Sequence, residues 1–195
     1  MNLTKKKKNK IINYFLITQG LEIKEVTEFY NHLLLPPYGG IWFEDKIYQD
    51  KIISQKLYLS DNKISNIEPL SSLTNLTYLY LSSNNISNIE PLSPLTKLTY
   101  LSLYNNKIEN IEPLSSLTNL QVLVLGSNNI SNIEPLSSLM GLKFLYLNKN
   151  NISDIEVLSK QCNLIHIDLR DNPLKVSQVE ELRKQLPSCR INFET

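Results

Sequence analysis

Hydrophobic residues recur along most of the chain with a period of 22 residues. The repeated unit reads L-x-x-L-x-L-x-x-N-x-I-x-x-I-x-P-L-x-x-L, where x is any residue. Three of its columns are Leu57, Leu79, Leu101, Leu123, Leu145 and Ile167; Leu59, Leu81, Leu103, Leu125, Leu147 and Leu169; and Asn62, Asn84, Asn106, Asn128, Asn150 and Asn172. A fixed period of this length determines the fold, because each unit is one structural element that stacks on the next.

The leucines of each L-x-L stretch alternate with other residues, which predicts a short strand with one buried face. A single strand cannot bury its leucines alone, so the units are expected to stack as parallel strands over a shared core. The column asparagine is expected to point inward and to bond to backbone groups that the bend after the strand leaves unpaired. The I-x-x-I spacing, with prolines at 69, 91, 113 and 135, predicts an irregular or 3₁₀ return, where proline loses no ladder hydrogen bond.

At these residues the chain resembles leucine-rich repeat proteins over residues 54–193. The recurring N-I-E-P-L-S-S-L-T-N-L is similar to the 22-residue repeats of internalins and of phosphatase-regulatory leucine-rich repeat proteins. The resemblance implies an α/β repeat solenoid, a curved right-handed coil with a parallel β-sheet on its concave side and irregular or 3₁₀ structure on its convex side. It also implies that protein partners bind the concave face.

The two ends of the chain depart from the repeat, so we expect caps there, at least partly helical. The predicted organisation is an N-terminal cap over 1–53, repeats over 54–174 and a C-terminal cap over 175–195. Within the first cap, residues 22–35 have helical periodicity and end before a Pro-Pro pair.

The C-terminal cap is predicted to contain a helix and a closing strand. Val176, Val179 and Leu182 have helical spacing, and Ser177 is a candidate N-cap with a glutamate three residues later. Ser188–Asn192 is expected to form a seventh strand. Counting 22 residues on from the sixth strand places Cys189 at an inward position of that strand, as a free buried thiol.

The residues between the inward leucines are expected to face outward and to line one strip on the sheet. The strip carries two aromatic patches separated by an apolar saddle. The first patch is Tyr58, Tyr78, Tyr80, Tyr100 and Tyr104; the saddle is Val122, Val124 and Gly126; the second patch is Phe144 and Tyr146, bordered by His166, Asp168 and Arg170.

Two interpretations of this strip compete. Strands favour aromatic residues, and tyrosine ladders help cross-strand packing, so the tyrosines have a purely structural explanation. Clustered exposed tyrosines with few charges are also typical of the centres of protein interfaces. We favour binding of a protein or peptide partner, because a solvent-facing strip without a partner usually carries more lysine and glutamate.

Composition and charge argue against a nucleic-acid partner and against a membrane span. The 195-residue chain has 20 basic and 19 acidic residues, with +3 over residues 1–56 and −2 over the rest. Neither part has the basic field of a nucleic-acid-binding protein, and basic side chains are scarce in the strip, so we expect no nucleic-acid partner. Apolar runs are too short for a membrane span. We expect a monomer.

Candidate catalytic or cofactor chemistry is sparse in the sequence. Two histidines and two cysteines are too few and too scattered for the usual metal sites, and no phosphate-binding glycine motif is present. The carboxylate ladder is interpreted as solvated side chains on the convex side; its members are Glu68, Glu90, Glu112, Glu134 and Glu156. We therefore predict no enzyme activity, no metal and no cofactor.

The location of the protein is open between two compartments. We favour the cytoplasm, because unpaired cysteines are typical of reducing compartments. A secreted or surface location would instead fit an adhesin or effector of the internalin kind. A second alternative function, a regulatory subunit of a phosphatase-like enzyme, would keep the protein in the cytosol.

Overall fold

The computed structural model of the chain describes residues 55–194, and over this range it forms one seven-stranded parallel sheet. The strands follow one another in chain order across the sheet. They are β1 Lys56–Tyr58, β2 Tyr78–Tyr80, β3 Tyr100–Ser102, β4 Val122–Val124, β5 Phe144–Tyr146, β6 His166–Asp168 and β7 Arg190–Asn192. Each of the first six coincides with an L-x-L stretch, so the predicted curved solenoid with a parallel sheet on one side is confirmed.

The core consists of the inward columns stacked from strand to strand. Leu79 pairs in register with Leu101, which pairs with Leu123, and all three are completely buried. The second leucine of each unit and the isoleucines after the asparagine complete the same continuous cluster. Because every unit buries its leucines against the next, no single unit has a core of its own.

The return segments are short 3₁₀ helices on the side opposite the sheet, as the proline spacing predicts. Their bounds are Glu68–Ser72, Glu90–Leu92, Glu112–Ser116, Glu134–Ser138 and Glu156–Lys160. The first four have proline in their first turn. Asn66 Oδ1 accepts a hydrogen bond of 2.9 Å from the Glu68 backbone N–H, and the same bond starts each later return. The five initial glutamates are exposed on this convex side.

The column asparagines form a ladder that joins neighbouring repeats. Asn106 Nδ2 donates to the carbonyls of Leu81 and Leu103 at 2.9 and 3.0 Å, and its Oδ1 accepts from the Ile86 N–H at 3.0 Å. One buried amide thus satisfies backbone groups in its own repeat and in the preceding one. This confirms the inward asparagine, whose role depends on carrying both donors and an acceptor on one planar group.

The C-terminal helix α1 covers Val176–Gln185 and buries Val179 and Leu182. The prediction of Ser177 as its N-cap is wrong, because the helix starts at Val176 and Lys175, two residues before Ser177, occupies the N-cap position. The Lys175 backbone N–H donates to Gln178 Oε1 at 3.0 Å. The glutamine three residues after the cap position therefore satisfies a backbone donor that precedes the helix.

Strand β7 closes the sheet, but its register differs from the count of 22. Ile167 pairs with Ile191, a step of 24 residues, because α1 replaces the shorter 3₁₀ return. Cys189 therefore precedes the strand instead of occupying an inward column, and it is half-buried as a free thiol. Burial raises the pKa of its thiol to about 11.

The predicted N-terminal cap at 1–53, including its helix over 22–35, lies outside the described residues. Over the range that is described, no helix combines the length and apolar character that crossing a membrane requires.

Candidate binding site on the concave face

The first and third residues of each strand point away from the leucine core, as the alternation predicts. Their side chains are mostly half-buried, because neighbouring strands are only about 4.8 Å apart and adjacent side chains cover one another. Tyr58 and Tyr104 are the most accessible of the aromatic side chains on this face, 42% and 38% exposed. The strip therefore presents a filled, aromatic surface to solvent.

Four tyrosines form one stacked group, the tyrosine cluster (Tyr58, Tyr78, Tyr80 and Tyr100). The Tyr58 and Tyr80 rings are stacked, with centroids 4.4 Å apart and planes 13° apart. Tyr80 also contacts Tyr100 at 4.6 Å, and Tyr78 stacks on Tyr100 at 6.0 Å. Among residues 55–194, Tyr104 shares no ring contact with the cluster, so the predicted first patch is continuous over four of its five members.

The Tyr80 and Tyr100 hydroxyls remain protonated at neutral pH. Burial and the neighbouring Tyr58 phenol raise the pKa of Tyr80 to about 12. Burial also raises the pKa of Tyr100, with a smaller opposing effect from its hydrogen bond with Ser102. A neutral phenol both donates and accepts hydrogen bonds, so the cluster offers donors to a ligand without carrying charge.

The first strand contributes a cation to this end of the strip. Lys56 Nζ lies 4.6 Å from the centroid of the Tyr78 ring, within cation–π distance.

The valine saddle (Val122, Val124 and Gly126) separates the tyrosine cluster from the second patch. A Cβ at Gly126 would lie 2.5 Å from Asn148 Oδ1, closer than non-bonded atoms approach. Glycine at this position therefore lets the Asn148 side chain lie over the backbone of the neighbouring repeat.

The second patch is built by β5 and β6. The Tyr146 and His166 rings lie 5.3 Å apart at 48°, and Phe144 is the register partner of His166. These three side chains are half-buried on the outward face, where the sequence places them.

Asp168 and Arg170, predicted to border this patch, form an ion pair. Arg170 Nη2 lies 2.6 Å from Asp168 Oδ2, and its Nε lies 2.9 Å from Oδ1. The Asp168 side chain is only 6% exposed. Burial alone raises the pKa of this carboxyl, but the hydrogen bonds from Arg170 outweigh that effect and hold it below its usual value. Arg170, whose side chain is 41% exposed, therefore covers the Asp168 carboxylate.

Two further features were missed from the sequence. Ser102, at an outward position of β3, is buried, and its Oγ lies 2.6 Å from Ser82 Oγ. Ile165, just before β6, is 51% exposed. A signal for Ile165 exists, because its column is polar in every earlier repeat: Gln55, Thr77, Thr99, Gln121 and Lys143.

The chemical groups on the strip suit binding. Within residues 55–194, no group of three or more His, Cys, Asp or Glu side chains is arranged to hold a metal ion. What the strip offers is aromatic area, phenolic hydroxyls and a few charges held on short, hydrogen-bonded strands. Such side chains are already ordered before a ligand arrives, which lowers the entropic cost of association.

Comparison with known proteins agrees with this architecture. A family model described as leucine-rich repeats (2 copies) matches residues 55–94 and 96–138. None of the curated proteins compared with the chain matches it.

Three solved structures are similar to the chain. An internalin (inlF) from Listeria monocytogenes is 34% identical with a TM-score of 0.67, over 72% of this chain and 43% of that one. Internalin C2 from the same species is 42% identical with a TM-score of 0.58, over 58% of this chain and 50% of that one. The leucine-rich repeat ectodomain of the Arabidopsis thaliana membrane receptor kinase GASSHO1/SCHENGEN3, in complex with CASPARIAN STRIP INTEGRITY FACTOR 2, is 28% identical with a TM-score of 0.59, over 70% of this chain and 17% of that one.

The chain spans half or less of the length of each of these proteins. The likeness therefore concerns the repeats. From the family match, the 22-residue period and the seven-stranded sheet together, the chain is a leucine-rich repeat protein with internalin-like repeats.

Proposed function

We propose that this protein is a non-catalytic interaction module that binds a protein or peptide partner on the concave strip. The single observation that carries the proposal is the tyrosine cluster, in which rings on three adjacent strands stack in a fixed arrangement on the solvent side of the sheet. Tyrosines of this kind combine large contact area with hydrogen-bonding hydroxyls, and they are enriched at sites that dominate binding energy.

Cross-strand packing accounts for part of the cluster, since its rings cover one another. It does not account for Tyr104, which contacts no ring of the cluster and is 38% exposed, or for the 42% of Tyr58 that stays exposed beside its stack on Tyr80. It also does not account for the valine saddle, where two valines and a glycine separate the two aromatic regions. A partner that covers the saddle and the exposed rings explains both features.

The fold is consistent with this proposal. Leucine-rich repeat domains are typically protein-binding and non-catalytic, and the plant receptor ectodomain among the similar structures is in complex with a named factor. We propose that the protein acts as a monomer, does not bind nucleic acid and is located in the cytoplasm, where the free thiols of Cys162 and Cys189 are stable.

Two other roles fit the same surface. One is a secreted or surface adhesin or effector, a role supported by the similarity of the repeats to internalins. The other is a regulatory subunit of a phosphatase-like enzyme, which would act by binding a catalytic partner. Fractionation of the native host separates the first role from the second, because only the first places the protein outside the cytoplasm.

The proposal is tested by affinity capture from the native host with three forms of the full chain. These are the wild type, a Tyr80→Ala/Tyr100→Ala variant and a convex control, Glu112→Ala/Glu134→Ala. We expect a partner that the wild type and the control retain and the tyrosine variant loses, with circular dichroism showing that all three are folded. Equal retention by all three forms would place the binding surface elsewhere.

A further inference from the structure

Beside the second patch lies a surface that we call the basic corner (Lys143, Ile165, His166 and Arg190). It contains two cations, a histidine and an exposed apolar side chain. Backbone hydrogen bonds bring these residues together on adjacent strands. The N–H groups of Ile165 and His166 both donate to the Lys143 carbonyl, at 2.9 and 3.1 Å, and the Arg190 N–H donates to the Ile165 carbonyl at 2.8 Å. His166 and Arg190 are register partners, so their side chains project from the same face.

Basic and acidic residues lie on different sides of the repeats around the basic corner. The turns that lead into β2 to β7, residues 74–77, 96–99, 118–121, 140–143, 162–165 and 186–189, contain Lys97 and Lys143 and no aspartate or glutamate. The glutamates that open the 3₁₀ returns lie on the opposite, convex side. The carboxylate closest in sequence to the corner, Asp168, is buried and bonded to Arg170. Lys143 and Arg190, both exposed, therefore face solvent with no carboxylate beside them on the leading turns.

An exposed apolar side chain precedes β6, the strand between β5, which follows Lys143, and β7, which begins with Arg190. Ile165 is 51% exposed, and its backbone is hydrogen-bonded to Lys143 on one side and Arg190 on the other. A large apolar side chain flanked by cations is complementary to a segment that carries both carboxylates and apolar side chains.

We infer that the partner's docking segment is an acidic, partly apolar peptide in extended conformation, with carboxylates at the basic corner and an apolar residue in the valine saddle. This inference rests on the proposed function and specifies the partner for the same strip. From β4 to β7 is three strand spacings, about 14 Å. An extended peptide rises about 3.3 Å per residue, so the apolar residue and the acidic residues are roughly four positions apart.

A phosphate backbone fits this surface less well. Nucleic acids present a charge at every few ångströms, and their binding surfaces carry many cations in a continuous track. Here Lys143 and Arg190 are separated by Ile165, and the valine saddle on the other side of the second patch is uncharged. The chemistry of the corner therefore favours a peptide with a few carboxylates over a polyanion.

The inference is tested by selecting from a displayed library of random 12-residue peptides against the full chain. We expect selected peptides to be enriched in aspartate and glutamate, to be depleted in lysine and arginine, and to contain an apolar residue about four positions from an acidic one. Their affinities are then measured by fluorescence anisotropy. We expect Lys143→Glu/Arg190→Glu to weaken binding about tenfold or more, and the control Lys63→Glu/Lys107→Glu, with the same change of net charge on the other side of the strands, to weaken it less than about twofold.

The outcomes separate this inference from the proposed function. Peptides that require Tyr80 and Tyr100 but respond equally to the two charge reversals would overturn the inference and leave the concave binding function intact. Peptides that bind the Tyr80→Ala/Tyr100→Ala variant as well as the wild type would contradict both. Selection of basic peptides, failure to select any, or tighter binding of a 20-nucleotide oligothymidine than of the selected peptides would also overturn the inference.

Discussion

Arg170 holds the buried carboxylate of Asp168 through two side-chain hydrogen bonds, with Nη2 2.6 Å from Oδ2 and Nε 2.9 Å from Oδ1. The two residues are separated by one position on the same edge of the sheet, so the pair forms within one repeat. Its position beside His166 makes it the fixed border of the second aromatic patch. These two charges, which lie at the border of the strip, are therefore paired with each other.

This pair makes stability depend on pH in the acid range. Because the pKa of Asp168 is lower in the folded chain than in the unfolded chain, its contribution is present above the unfolded value, about 3.9, and is lost as pH falls through the folded value. We expect the melting temperature of wild type to exceed that of Asp168→Asn at pH 7 and the gap to narrow toward pH 3. Differential scanning calorimetry across this range measures the gap, and a gap independent of pH would contradict the assignment.

The tyrosine cluster makes stability depend on pH in the alkaline range. The pKa of Tyr80 is raised to about 12, whereas an unfolded tyrosine ionises near pH 10. The unfolded state therefore loses its proton first, so the contribution of Tyr80 is complete below about pH 10 and falls as pH rises toward 12. We expect the wild type to lose more stability between pH 9 and 11 than Tyr80→Phe does, as measured by thermal melts. Equal losses would show that Tyr80 is not shielded.

Each asparagine of the ladder is expected to contribute more to the free energy of unfolding than an exposed polar side chain does. Asn106→Ala leaves the buried Ile86 N–H without its acceptor, and such an unpaired group costs about 1–3 kcal/mol. It also removes one of the two amide donors to each of the Leu81 and Leu103 carbonyls, which keep Asn84 and Asn128. Urea denaturation measures the difference. The exposed neighbouring-column residue Asn85 is the control, and Asn85→Ala is expected to cost less than about 0.5 kcal/mol. Similar costs for the two variants would contradict the ladder's role.

The alternation of inward and outward positions gives a direct comparison within one strand. Leu101 is completely buried, so Leu101→Ala is expected to cost about 2–5 kcal/mol of unfolding free energy through the cavity it creates. Tyr100→Ala, one residue away on the outward face, loses its stacking on Tyr80 and Tyr78 and is expected to cost about 0.5–1.5 kcal/mol per lost ring contact. Chemical denaturation of both variants checks this order, and a larger cost for Tyr100 would mean that the two faces are wrongly assigned.

Much of the fold follows from the sequence because the repeat determines it. Leu79, Leu101 and Leu123 occupy one column, and a 22-residue step can bury all three only if successive strands are parallel and in register. The inward asparagine is predictable for a similar reason, since it follows each strand at the bend where backbone groups need partners. Both features depend on the period, which is visible in a single sequence.

The features that were not predicted depend on structure outside the period. The pairing of Ile167 with Ile191 follows from the length of α1, which no repeat count supplies. The burial of Asp168 follows from the reach of the Arg170 side chain. For Asp168 and Arg170 the sequence predicts outward positions but not that the two side chains bond to each other.

Whether the partner binds the concave tyrosines is measured by isothermal titration calorimetry. A partner captured by the wild type is titrated into the wild type and into Tyr80→Ala/Tyr100→Ala. We expect the double variant to bind at least about a hundredfold more weakly, because both rings belong to the surface that the partner covers. Circular dichroism checks that the variant is folded. An unchanged affinity for the folded variant would contradict the claim that the concave tyrosines form the binding site.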